Sequence, residues 1–171
     1  TAAANFARLY AVTREPEAGR RAALILDRFA QVFPAYCYHY DYPFRQKLIK
    51  EGAVTPAGFE PAFRVARWTW WAYMDISMRL LESYDLLADS GELEKLAAET
   101  GRDVPAAVRA MLADMTEQAL ANRDDLTNMS PGMWADAIRA GRVLGRPEWV
   151  HEAVGRLRRL HARVDESDQV A

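Results

Sequence analysis

Apolar residues in this chain recur at spacings of three and four, and prolines and small polar residues break the pattern at short intervals. That period is the period of one helix face, so each stripe marks a helix that needs a partner to bury it. The clearest stripe is Val104, Val108, Met111, Leu112, Met115 and Ala119. Asp103 precedes it as an N-cap, and Pro105 stands in the first turn, where a missing N–H costs nothing. Ser130-Pro131 repeats this start signal for a helix running to about Leu144, Gly145 stops it, and Pro147 opens another helix with the stripe Val150, Val154, Leu157, Leu160 and Val164.

Upstream, Phe6, Leu9 and Tyr10 predict a short helix over 2–12, and Glu15-Pro16 interrupts it. A second helix over 18–32 carries Ala22, Ile25, Leu26, Phe29 and Ala30, and Pro34 is expected to end it. Residues 36–55 have no helical period and concentrate Tyr36, Tyr38, His39, Tyr40, Tyr42 and Phe44 around Pro43, which predicts an aromatic-rich loop. Pro61 opens a further helix carrying Phe63, Ala66, Trp70, Tyr73, Met74, Leu80, Leu81 and Tyr84, hydrophobic nearly all round and fading near Ser90-Gly91. No alternating run bounded by hairpin turns predicts a strand. The expected class is all-α: six or so helices joined mostly by short turns, packed as antiparallel hairpins into a bundle, a solenoid or an (α/α) toroid. No fixed repeat period of the solenoid kind is visible.

With 171 residues, half of them hydrophobic, the chain can bury one sizeable core and is expected to form part of one domain over 1–171. Its 22 Lys and Arg against 24 Asp and Glu leave a net charge of -2, so no global field recruits nucleic acid. No apolar run approaches the ~20 residues that a membrane span needs. Cys37 is the lone cysteine, and no CxxC, HExxH, Gly-rich phosphate loop, GxSxG elbow or EF-hand pattern occurs, so neither a metal nor a cofactor is expected. The chain opens at Thr1 directly in helical pattern and closes on a polar stretch, 165–171. Both ends suggest that further sequence flanks it.

Four features stand out as candidates for chemistry, each with a reading in which it only packs, turns the chain or faces solvent. Arg67-Trp68-Thr69-Trp70-Trp71 places Trp68 and Trp71 near each other on a helix at about 100° per residue, with Trp70 pointing elsewhere. These rings either fill the core or line a cleft, where flat apolar faces with one polar tip suit sugar rings. His39, Tyr40 and Tyr42 form either a staple for the loop or a carbohydrate platform with a titratable imidazole. Asn128, just ahead of the helix start at Ser130, is either a turn residue or an amide donor aimed at a carboxylate. His151 and His161 fall on a helix rich in Arg and Glu and do not make an i, i+4 metal pair, which predicts a solvated face.

The run Leu126-Thr127-Asn128-Met129-Ser130-Pro131-Gly132-Met133-Trp134, followed by Ala140-Gly141-Arg142-Val143-Leu144-Gly145-Arg146-Pro147, resembles the toroid domain of heparinase II/III-like polysaccharide lyases. Residues 5–34, ending in Phe29-Ala30-Gln31-Val32-Phe33-Pro34, and 72–87, with Ser83-Tyr84-Asp85-Leu86-Leu87, resemble it as well. The resemblance implies an incomplete (α/α) toroid, periplasmic or secreted in a bacterium, that acts on uronic-acid-containing polysaccharide by β-elimination. It implies an acidic polysaccharide or oligosaccharide as partner, with Asn128 neutralising the uronate carboxylate and Trp68, Trp71, Tyr40, Tyr42 and His39 binding substrate. The catalytic Tyr and a C-terminal β-sandwich are expected in the remainder of the polypeptide. Several relatives carry His directly after that Asn, where this chain has Met129, so a histidine base is not expected there. Two other readings stay open. One is a helical scaffold that binds a glycan or protein without catalysis, and the other is a toroidal glycoside hydrolase, which needs two facing carboxylates among residues such as Asp41, Asp75 and Asp85.

Overall fold

A computed structural model describes residues 1–36, 40–41, 45–46, 76–121 and 130–168. Among these the class is all-α, with seven helices: α1 (Ala2–Thr13), α2 (Pro16–Tyr36), α3 (Met78–Leu87), α4 (Glu92–Thr100), α5 (Val104–Ala121), α6 (Ser130–Leu144) and α7 (Pro147–Asp168). The one departure is a minimal antiparallel hairpin, β1 (Tyr40–Asp41) and β2 (Arg45–Gln46), with Tyr40 opposite Gln46. It falls where an aromatic-rich loop without strands was expected. Two pairs of residues are too few to leave an alternating pattern in a sequence.

The local chemistry behind the helix ends is mostly the chemistry the sequence advertised. Asp103 Oδ1 accepts the Ala106 N–H at 3.0 Å, which satisfies one orphan donor of α5. Gly145 adopts φ 69° between α6 and α7, a left-handed position that glycine enters without strain. Arg14 takes the same region, φ 58°, after α1, where its N–H is donated to the Tyr10 carbonyl at 2.8 Å and its guanidinium lies over the Tyr10 ring.

Four expectations need correcting. The helix expected to run unbroken from Pro61 to Ser90 is interrupted, because Ile76 and Ser77 precede a new helix start. Ser77 is extended, and its carbonyl accepts the Leu80 and Leu81 N–H groups. Pro34 does not end α2, which continues to Tyr36; near a C-terminus the hydrogen bond that proline deletes is one of the last in the helix. Residues 92–100, unassigned in the sequence reading, form α4: Ser90 Oγ accepts the Glu92 N–H at 3.1 Å, and Gly101 closes the helix in left-handed conformation. Finally, the polar tail is helical through Asp168.

Two rows of helices emerge from the packing. α1 packs on α2 and α3, α3 reaches α6, and α6 packs on α7; α2 and α5 pack on each other, with α4 wedged against both. Contacts fix the directions. Arg8 pairs with Glu82, and Tyr10 lies beside Gly19 and Glu92, so α1 and α3 ascend together. Arg20 pairs with Glu99 and Asp27 with Arg102, so α2 ascends alongside α4 and the start of α5. Arg109 donates to the Leu144 carbonyl at 3.0 Å, and Arg156 donates to the Leu120 carbonyl at 2.6 Å, so α7 ascends with α5 while α6 opposes both. α1, α3 and α6 therefore run one way and α2, α5 and α7 the other.

The core between the rows holds Leu26, Leu80, Leu87, Val108, Leu112, Met115, Ala137 and Trp149. The stripe expected for α1 is shifted. Ala3, Ala4, Ala7 and Tyr10 are buried, whereas Leu9 is 43% exposed, because α2 and α3 approach the alanine face closely. An ion pair between an exposed arginine and a buried carboxylate ties the second row: Arg102 binds both oxygens of Asp27 at 2.8 and 2.5 Å, and Gln31 donates to the same carboxylate. The hydrogen bonds to Asp27 hold the Arg102 proton more firmly than usual.

Gly141 sets how closely α6 and α7 approach. A Cβ there would stand 2.8 Å from Val150 Cγ2 and 2.9 Å from the Arg146 carbonyl oxygen. Gly141→Ala is expected to cost about 1–3 kcal/mol, because backbone cannot retreat as a flexible side chain can. Gly132→Ala, with nothing within 4 Å of the added methyl, should be neutral or slightly stabilising. Melting curves of the two variants check this, and equal losses would refute the close-approach argument.

Candidate functional site

The row directions decide where the connections lie. The turns at Arg14-Glu15 and Gly145-Arg146, and the stretch between α3 and α5 that contains α4, sit at one end of the array, where α1, α3 and α6 finish. At the other end α2 and α5 finish while α3 and α6 begin. The chain between α2 and α3 therefore leaves and returns at the same end as the chain between α5 and α6.

Those two stretches contain, in sequence, the residues expected to bind substrate and Asn128. Trp68, Trp71, Tyr42, His39 and Asn128 lie outside the described residues, and of Tyr40 only the backbone in β1 is described. What is described is the frame. Ile76 is buried at the start of α3, Phe33 is buried in the last turns of α2, Ala119 is buried near the end of α5, and Met133 and Trp134 are buried in the first turns of α6. Ser130 is the first residue of α6, so Asn128 precedes a helix start by two residues, as its spacing predicted. Of the carboxylates weighed for glycoside hydrolysis, Asp85 is exposed on α3, Asp41 stands in β1, and Asp75 lies outside the described residues.

Polar groups near this end were not legible as a set. Arg156 is 6% exposed on α7, its Nε donates to Glu152 Oε1 at 2.9 Å, and its Nη2 caps the last turn of α5 through the Leu120 carbonyl. A guanidinium at a helix C-terminus is favoured by the partial negative charge of the free carbonyls. The signal that could have found it is weak: an arginine in register with the α7 stripe, between Ala153 and Leu157. At the opposite end, Arg109 donates to Tyr84 Oη at 2.9 Å as well as to Leu144, which joins α3, α5 and α6. There too Arg146 lies over the Trp149 ring and binds Glu148, and that hydrogen bond is the main cause holding the Glu148 carboxyl below its usual range.

His151 and His161 are exposed on α7, as expected of a solvated face. Among the described residues no group of three His, Cys, Asp or Glu side chains could hold a metal ion, and no helix is long and apolar enough to cross a membrane. In comparisons with known proteins, the chain matches no protein-family model, no curated protein and no solved structure.

Proposed function

We propose that this array is part of an (α/α) toroid that binds an acidic, uronic-acid-containing polysaccharide, and that Asn128 serves β-elimination by neutralising the uronate carboxylate. One observation carries the reading. α2 and α5 finish and α3 and α6 begin at one end of the array, and the aromatic residues and Asn128 belong in sequence to the two connections that join these helix ends. A polymer lying across that end would meet sugar-stacking rings from one connection and an amide donor from the other.

The chemistry explains why an amide matters. β-Elimination removes the C5 proton beside a carboxylate, and the carbanion that results is accessible only when the carboxylate charge is offset. Hydrogen bonds placed where charge develops supply that offset. The shared direction of α1, α3 and α6, opposed to that of α2, α5 and α7, also supports a toroid over an up-down bundle, in which neighbours along a row alternate in direction.

Isothermal calorimetry with acidic oligosaccharides tests the reading. Polyuronates are expected to bind the wild-type chain and to bind Asn128→Ala more weakly by about tenfold, the value of one charge-assisted hydrogen bond. Neutral oligosaccharides of the same length should bind weakly to both. Absence of polyuronate binding, or equal binding by the variant, would remove the proposal.

A further inference from the structure

The α6–α7 hairpin concentrates positive charge in a chain whose net charge is -2. Between Ser130 and Leu160 the acids are Asp136, Glu148 and Glu152, and Arg139, Arg146 and Arg156 bind them in turn. Arg142, Arg158 and Arg159 are left over, exposed and without an ion-pair partner among the described residues. Two of them share a side of the hairpin. Gly141 and Val150 face each other across it, and in antiparallel helices the residues that follow such a pair, here Arg142 and His151, turn to the same side. That side meets solvent: Arg142 and His151 are exposed, whereas Ala140 and Trp149, which precede the same pair and turn the opposite way, are buried. Seven residues on, Arg158 returns to the side of His151 two turns, or about 10 Å, along α7. Ile138 and Val154 lie half-buried on this side, where the two helices meet, and form an apolar seam.

We infer that this side of the α6–α7 hairpin, with Arg142, His151 and Arg158 along the Ile138–Val154 seam, is a secondary binding surface for an acidic polysaccharide. A uronate ring sets an apolar face against the seam and a carboxylate toward the cations, and Arg142 and Arg158 keep their donors uncommitted for it. Each exposed pair is weak alone, but a polymer that meets several in succession adds them on one molecule. Nucleic acid fits less well, since base stacking needs exposed rings and the two tryptophans of these helices, Trp134 and Trp149, are buried. The choice of a polyuronate among acidic polysaccharides rests on the proposed function; the charge and its placement do not.

Titration of the isotope-labelled 171-residue chain with tetragalacturonate, followed through backbone amide signals, tests the inference. Saturable shifts are expected along 138–158, and the fully methyl-esterified tetramer should produce none. Arg142→Gln and Arg158→Gln should each weaken binding roughly three- to fivefold, whereas Arg28→Gln, an equal charge change at an exposed site on α2, should alter it less than twofold. Shifts confined to the end where α3 and α6 begin would overturn the inference and leave the proposed function standing. Equal losses in Arg28→Gln and Arg158→Gln, or a stronger response to oligothymidylate than to tetragalacturonate, would also overturn it, the latter by assigning the surface to nucleic acid. Shifts along α6 and α7 alone, equally strong in Asn128→Ala, would support the inference and remove the proposed function.

Discussion

In the proposed lyase, Asn128→Ala is expected to lower kcat by roughly 100-fold or more, well beyond the about tenfold loss in binding, because the hydrogen bond from the amide to the uronate carboxylate strengthens as the C5 proton leaves. Loss of one such donor typically costs ~3 kcal/mol of transition-state stabilisation. An interaction made mainly in the transition state appears in kcat, whereas one made equally in the ground state appears in KM. Asn128→Asp should be at least as harmful, since it sets a second negative charge against the substrate carboxylate. Steady-state rates from the ultraviolet absorbance of the unsaturated uronate product, paired with a melting curve, decide between roles. A turn residue ahead of α6 would lower the melting temperature and leave the rate per folded molecule unchanged.

Leu112→Ala should be the most destabilising single truncation at the centre of the array. Leu112 is 0% exposed in the middle of α5, and α5 packs against α2, α3, α4 and α6, so no one helix can move in to fill the cavity. Such truncations cost about 2–5 kcal/mol, which for a chain of this size means a drop of roughly 5–15 °C in Tm. Val12→Ala makes the contrast: Val12 is 85% exposed on α1, and its truncation should move Tm by less than about 2 °C. A Leu112→Ala loss as small as that of Val12→Ala would mean that the rows do not share one core.

The legibility of the fold followed the strength of local signals. α5, α6 and α7 were readable nearly to the residue, because Asp103, Ser130-Pro131, Gly145 and Pro147 act on their own backbone within a turn. α4 carried the same kind of signal in Ser90, Leu93, Leu96 and Gly101, but its nine residues make only a short stripe. The break before α3 had no proline or glycine to announce it, since Ile76 and Ser77 fit a helix pattern as well as a cap. Pro34 misled in the opposite direction, because proline near a helix end deletes a bond that matters little.

The candidate residues divide in the same way. Asn128 could be placed before a helix start from spacing alone, and His151 and His161 on a solvated face from the charges around them. Arg156 and Trp134 could not be selected, because nothing in their own neighbourhoods states that the ends of their side chains are buried. By itself the sequence determined the helical character of α1, α2, α5, α6 and α7, where most of them begin and end, and the buried stripes of α5 and α7, since these depend on interactions within a few residues. Only the tertiary structure decided the order of helices within two rows, the shared end at which α2 and α5 finish and α3 and α6 begin, and the burial of the Trp134 indole and of Arg156. Those depend on contacts such as Asp27 with Arg102 and Leu120 with Arg156, between residues dozens of positions apart, for which a single sequence holds no local record.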